Sequence, residues 1–73
     1  MIKIEISTEF ITLGQFLKFS GIINNGGEAK KYLENARIFV NNELEKRRGK
    51  KLRHGDLVEV EKKIYHIVNK DEN

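Results

Sequence analysis

The sequence predicts an α+β fold in which two short helices, joined as an αα hairpin, pack on a small, mainly antiparallel sheet. Three observations lead there. Ile2, Ile4 and Ile6 alternate with Lys3 and Glu5, the period-2 pattern of a strand with one face buried. Two helix starts follow, at Thr12 to Gln15 and at Asn25 to Glu28, each leading into apolar residues at 3.6-residue spacing. From Ile38 onward, short β-type runs return, separated by turn residues. The 73 residues contain no proline, no internal repeat and no linker, so residues 1–73 form one domain.

Taken in order, Ser7-Thr8-Glu9 ends the first alternation. Thr12 and Gln15 have the spacing of a capping box, in which each side chain satisfies a free backbone N–H of the other. Leu13, Phe16, Leu17 and Ser20 then share one helical face, and Gly21 is placed as the left-handed residue that closes the helix. Ile22-Ile23 is too short for an element and tucks under the helix pair. The second helix takes Asn25 as N-cap and Glu28 as its third residue. Ala29, Tyr32, Leu33 and Ala36 form its buried stripe, with Lys30, Lys31 and Glu34 largely outside it.

Ile38-Phe39-Val40, Asn41-Asn42 and Glu43-Leu44-Glu45 read as a β-hairpin, because asparagine tolerates positive φ. A loop follows, in which Leu52 is the single apolar anchor. Gly55-Asp56 marks a turn. Leu57 to Val60 and Ile64 to Val68 are two more strands, with Glu61-Lys62-Lys63 between them and a frayed polar tail from Asn69 to Asn73. The N-terminal strand is expected to pair with the C-terminal one.

Charge is concentrated in that loop. Lys46-Arg47-Arg48-Gly49-Lys50-Lys51-Leu52-Arg53 holds six of the fourteen Lys and Arg residues and none of the eleven Asp and Glu. The rest of the chain carries eight positive charges against eleven negative, so the formal net charge of +3 comes from this one stretch. Like charges held together repel one another, which a polyanionic partner would relieve. A solvated loop that only maintains solubility is the plainer reading of the same run. Arginine meets phosphate oxygens two at a time and lysine supplies a compact charge, so Arg47, Arg48, Lys50, Lys51 and Arg53 are the leading contact candidates.

A second candidate is the start of helix two. Free N–H groups converge at Asn25-Gly26-Gly27, two successive residues there lack Cβ, and Lys30 follows one turn on. An ordinary capped turn is the alternative. Lys31, Arg37 and Lys46 complete the candidate set. Among the aromatics, Phe16 is assigned to the core and Phe39 is the one expected to be partly exposed, with Phe19 and Tyr65 as other stacking candidates.

Several classes are excluded. His54 and His66 lie far apart and the chain has no cysteine, so neither a metal site nor a disulfide framework is expected. No nucleophile–base pair, phosphate loop or dinucleotide fingerprint is present, which argues against an enzyme and against any cofactor. The first residues are no signal peptide and no apolar run could span a bilayer. A reducing cytoplasm suits this composition.

From Ile11 to Val60 the order helix, helix, hairpin, basic loop, Gly-Asp, strand resembles the RNA-binding domain of ribosomal small-subunit protein four, the αL motif. The matching residues are Leu13 and Leu17, Gly21-Ile22, Asn25-Gly26-Gly27-Glu28-Ala29-Lys30, Leu33, Ile38-Phe39-Val40-Asn41, and Gly55-Asp56 before Val58. The Gly-Gly-Glu-Ala-Lys and Arg-Arg-Gly-Lys-Lys stretches look most like the small stand-alone bacterial members. Three positions depart from that pattern. Gly26 stands where the family usually has Arg, Ala36 where it has Gly, and Asn41-Asn42 where it has Asn-Gly. The missing Arg removes one phosphate-gripping guanidinium, and the basic loop is its candidate replacement.

The resemblance implies binding of structured RNA, with ribosomal RNA or an assembling ribosomal particle as the expected partner. The basic loop would grip the backbone while the start of helix two seats a phosphate. Two other readings share the charge signature: a protein-interaction module whose loop docks an acidic partner, and a DNA-binding accessory protein with no evident groove-reading helix.

Overall fold

Five strands form the main sheet of the computed structural model, which describes residues 1–72. They are β1 (Ile2–Ile6), β3 (Ile38–Val40), β4 (Glu43–Leu44), β6 (Leu57–Val60) and β7 (Lys63–Asn69), in the spatial order β1-β7-β6-β3-β4. All neighbours are antiparallel except β1 and β7, which run parallel with Ile2 opposite Tyr65 and Ile6 opposite Asn69. The expected pairing of first and last strands is present. A separate ribbon pairs β2 (Phe10–Thr12) with β5 (Lys51–Arg53). Helices α1 (Leu13–Phe19) and α2 (Ala29–Asn35) complete the α+β fold.

The core lies between the helices and one face of the sheet. Leu13, Phe16 and Leu17 from α1 and Ala29 and Leu33 from α2 meet Ile38, Val58, Val60, Tyr65 and Ile67. Phe16 and Tyr65 make an edge-to-face contact with ring centroids 5.1 Å apart, the geometry that aligns a ring's positive edge with its partner's negative face. Fully burying a large aliphatic or aromatic side chain contributes about 1.5–3 kcal/mol, so these positions hold helices that are each too short to persist alone.

Local signals account for most boundaries. Thr12 accepts from the Gln15 N–H while the Gln15 carboxamide oxygen accepts from the Thr12 N–H, which is the capping box. Gly21, at φ +81°, ends α1 in a Schellman arrangement, its N–H on the Lys18 carbonyl and the Ile22 N–H on that of Leu17. Asn41 and Asn42, at φ 51° and 70°, form the tight β3–β4 turn.

Four expectations need correction. The start of α2 is a 3-10 turn, Gly26–Glu28, and the Asn25 side chain caps nothing. Instead the Glu28 carboxylate reaches back to accept from the Asn24 N–H at 3.0 Å and the Asn25 amide at 3.3 Å. The basic run is not wholly loop, because its end pairs as β5 with a three-residue β2 that local pattern does not reveal. The β6–β7 turn is two residues long, Glu61-Lys62, with both at positive φ (50° and 69°). Asn69 belongs to β7 and is buried, its amide donating to the Thr8 carbonyl and its N–H to His54 Nδ1. The last residue of the expected tail, Asn73, lies outside the described residues.

Candidate nucleic-acid interface

The stretch from Glu45 to Arg53 is held at several points, and each anchor follows from elementary charge and hydrogen-bond chemistry. Glu45 donates its N–H to the Ile38 carbonyl at 2.8 Å, and its buried carboxylate accepts from the backbone N–H groups of Lys46 and Arg47. The same carboxylate takes the Arg47 guanidinium in a two-bond fork, at 3.0 and 3.1 Å. Those donors, the guanidinium first, hold the Glu45 pKa down at about 2 against the opposing effect of burial.

Lys46 turns the other way. Its ammonium donates to the carbonyls of Leu33, Glu34 and Ala36, the orphan acceptors at the negative end of α2. The chain then turns through Arg48-Gly49, closed by the Lys50 N–H on the Arg47 carbonyl. The Arg48 and Lys50 carbonyls accept from Gly14 and Leu13, the first N–H groups of α1, at 2.9 and 2.8 Å. The loop therefore fills the positive end of α1 with its own carbonyl oxygens, while the side chains of Arg47 and Arg48 remain exposed.

Beyond the turn, β5 alternates. Leu52 is fully buried opposite Ile11, so the sequence-expected anchor is in place, and Lys51 and Arg53 face outward. Arg53 pairs with Glu9 at 3.0 Å. The Lys51 ammonium and the Arg53 guanidinium also lie over the Phe10 ring, at 4.8 and 5.3 Å from its centroid.

The rest of the candidate set divides. A Cβ on Gly14 would sit 3.5 Å from the Ala29 Cβ and 3.6 Å from that of Arg48, so the loop passes beside the first residue of α2. Exposed Lys30 and Lys31 follow directly, with Asn25, Gly26 and Gly27 exposed just before. The Arg37 guanidinium lies 5.6 Å over Phe39, which faces away from the buried Ile38 and Val40. Phe39 is half-buried, whereas Phe19, the last residue of α1, is 67 % exposed. Phe10, outside the sequence-expected stacking candidates, is half-buried at the start of β2. Only β5 alternates in burial, with Leu52 inward, whereas all three residues of β2 are half-buried, so the sequence carries no signal for the ribbon that places Phe10 beside Lys51 and Arg53.

Among the described residues no group of three or more His, Cys, Asp or Glu side chains converges, and no helix is long and apolar enough to cross a membrane.

A family model described as the S4 domain matches residues 4–68, nearly the whole chain. The chain belongs to the S4 domain family. Its relatives include a protein of Bacillus subtilis (strain 168) named "Probable ribosome maturation protein RlbA". The two are 53% identical over 58 residues, covering 80% of this chain and 82% of the relative. The matched range takes in residues 4–6 of β1 and residues 63–68 of β7.

Proposed function

We propose that this S4 domain binds structured RNA, with ribosomal RNA or an assembling ribosomal particle as its partner, and that it does so without catalysis. The observation that carries the reading is the loop at residues 46–53. Its Arg48 and Lys50 carbonyls are turned in toward α1, the side chains of Arg47, Arg48, Lys51 and Arg53 are exposed, and the turn at Arg48 passes beside the start of α2. Phosphate contacts of this kind position a protein on RNA shape without reading sequence. Arg48, Lys50 and Lys51 are the principal backbone contacts, and Asn25, Gly26, Gly27, Lys30 and Lys31 flank them. Arg47 and Arg53 contribute after loosening their pairs with Glu45 and Glu9. Lys46 supports the loop from behind, and Arg37 lies between Ala36 and Ile38, the residues whose carbonyls accept from Lys46 and Glu45. The ribosome-maturation name of the 53%-identical relative supports the ribosomal partner, and with it a place in the cytoplasm.

The test is competition at matched charge among structured RNA, duplex DNA and heparin, read by anisotropy of a labelled RNA. The RNA reading expects RNA to win clearly. Equal displacement by heparin would mean a general polyanion site and would sink it, and preferential displacement by DNA would favour a DNA-binding role. In cells, crosslinking followed by sequencing should recover ribosomal RNA.

A further inference from the structure

Phe10 does two things at once. Its ring carries the Lys51 and Arg53 cations, and it also lines a groove of about 970 Å³ between residues 5–11 and α1, together with Ile11, Gln15, Lys18 and Phe19. Phe19 has no part in the fold's core, which α1 supplies through Leu13, Phe16 and Leu17. At 67 % exposure it leaves an aromatic face in water, a cost with no return inside the domain. The groove lining thus combines the aromatic Phe10 and Phe19 with Lys18 and Lys70, and Lys51 and Arg53 lie against the same Phe10 ring. Of the acidic residues lining it, Glu9 is already paired with Arg53, and Glu5 with Lys3 at 3.7 Å.

An occupant matching both features has a flat apolar part and an adjoining anion. An acidic peptide would satisfy the cations and leave the aromatic faces bare. A nucleotide satisfies both, because every base has a face that stacks on an aromatic ring and each carries a phosphate beside it. The site is also continuous with the basic loop, since β5 is that loop's direct extension. We propose that this groove receives one unpaired nucleobase of the bound RNA, in contact with Phe10 and Phe19, with its phosphate held by Lys51. The inference rests on the RNA-binding reading and adds to it: the domain selects RNA with a bulged or looped-out nucleotide over uninterrupted duplex.

Two labelled RNA hairpins test it, identical except that one carries a single-nucleotide bulge containing a fluorescent adenine analogue. Wild type should bind the bulged hairpin more tightly and quench the analogue. Stacking of one base on an aromatic ring corresponds to a preference of about 5- to 150-fold. Phe19→Ala, at an exposed position, should erase most of that preference and the quenching. Phe10→Leu keeps apolar volume in the ribbon and should do the same, which separates loss of the aromatic face from loss of the fold. If wild type binds both hairpins alike, or the variants keep the preference, the groove is no nucleobase site although RNA binding stands. If wild type binds neither hairpin, the RNA reading fails and takes this proposal with it. A poly-glutamate peptide that competes as well as the bulged hairpin would assign the groove to an acidic partner and overturn the proposal.

Discussion

The loop's cations are not equivalent, and the difference can be measured as salt dependence. Arg47 is forked onto Glu45, Arg53 is paired with Glu9, and the Lys46 ammonium is occupied by three carbonyls. That leaves Arg48, Lys50 and Lys51 in the run without a carboxylate partner among the described residues. Each phosphate they neutralise releases condensed counterions, so the logarithm of affinity should fall linearly with the logarithm of salt. Three such contacts give a slope of roughly −2 to −3, which means about two to three orders of magnitude lost over a tenfold rise in salt. The triple variant Arg48→Ala, Lys50→Ala, Lys51→Ala should remove most of that slope, and the single variants Arg47→Ala and Arg53→Ala much less each. Anisotropy titrations of a labelled structured RNA across a salt series would report the slopes. Circular dichroism melts would check the fold, which should survive because Arg48 and Lys51 are exposed and Lys50 is only half-buried, and surface substitutions typically change stability by about 0.5 kcal/mol or less each. A triple variant with an undiminished slope, or an Arg47 variant as damaging as the triple, would refute this ranking of the cations.

Other consequences can be checked on the isolated chain. The Glu45 carboxyl has its pKa lowered from its ordinary 4.5 to about 2, so its contribution is present above pH 4.5 and is lost as pH falls toward 2. With an exposed partner in Arg47, screening keeps that contribution to about 1–2 kcal/mol, and Glu45→Gln should flatten the acid limb of a stability-versus-pH curve from denaturant melts. Lys46→Met keeps the aliphatic stem and removes the ammonium from the end of α2. It should lower stability by about 1 kcal/mol, or roughly 4–8 °C in Tm for a domain of this size, with little change in salt slope. Lys62→Gly should raise Tm, because Lys62 sits at φ 69° in a turn that favours glycine there; relief of about 1 kcal/mol is expected, and an unchanged or lower Tm would show the turn to be unstrained.

The parts of this structure that could be read from sequence are those that depend on near neighbours. The Thr12–Gln15 capping box, the Gly21 helix end, the Asn41-Asn42 turn and the inward Leu52 each express a rule acting over a few residues. What escaped depends on tertiary partners. The ribbon joins Phe10 to Arg53, distant in sequence, through strands too short to show a period. Glu61-Lys62 forms a positive-φ turn without Asn or Gly, because the register of β6 and β7 leaves only two residues to connect them. Glu28 fits a capping pattern but caps Asn24 from inside a 3-10 turn. The candidate site was visible as a charge run. Its division into free, paired and buttressing cations was not, since Glu9 and the end of α2 come from elsewhere in the chain.

The seating of the Arg48 and Lys50 carbonyls on the first turn of α1 bears on conformational entropy. Fixing the backbone of one residue costs about 1–2 kcal/mol at room temperature, and a disordered basic tail would meet that cost only on reaching its partner. Here the cost falls at folding, because Glu45, Lys46, the two carbonyls and the β5 ladder already define the path. A floppy tail of the same charge would spread its attraction over many RNA shapes. Held on this frame, the cations keep a set spacing, and a polyanion whose charges match that spacing would meet them without having to order the loop.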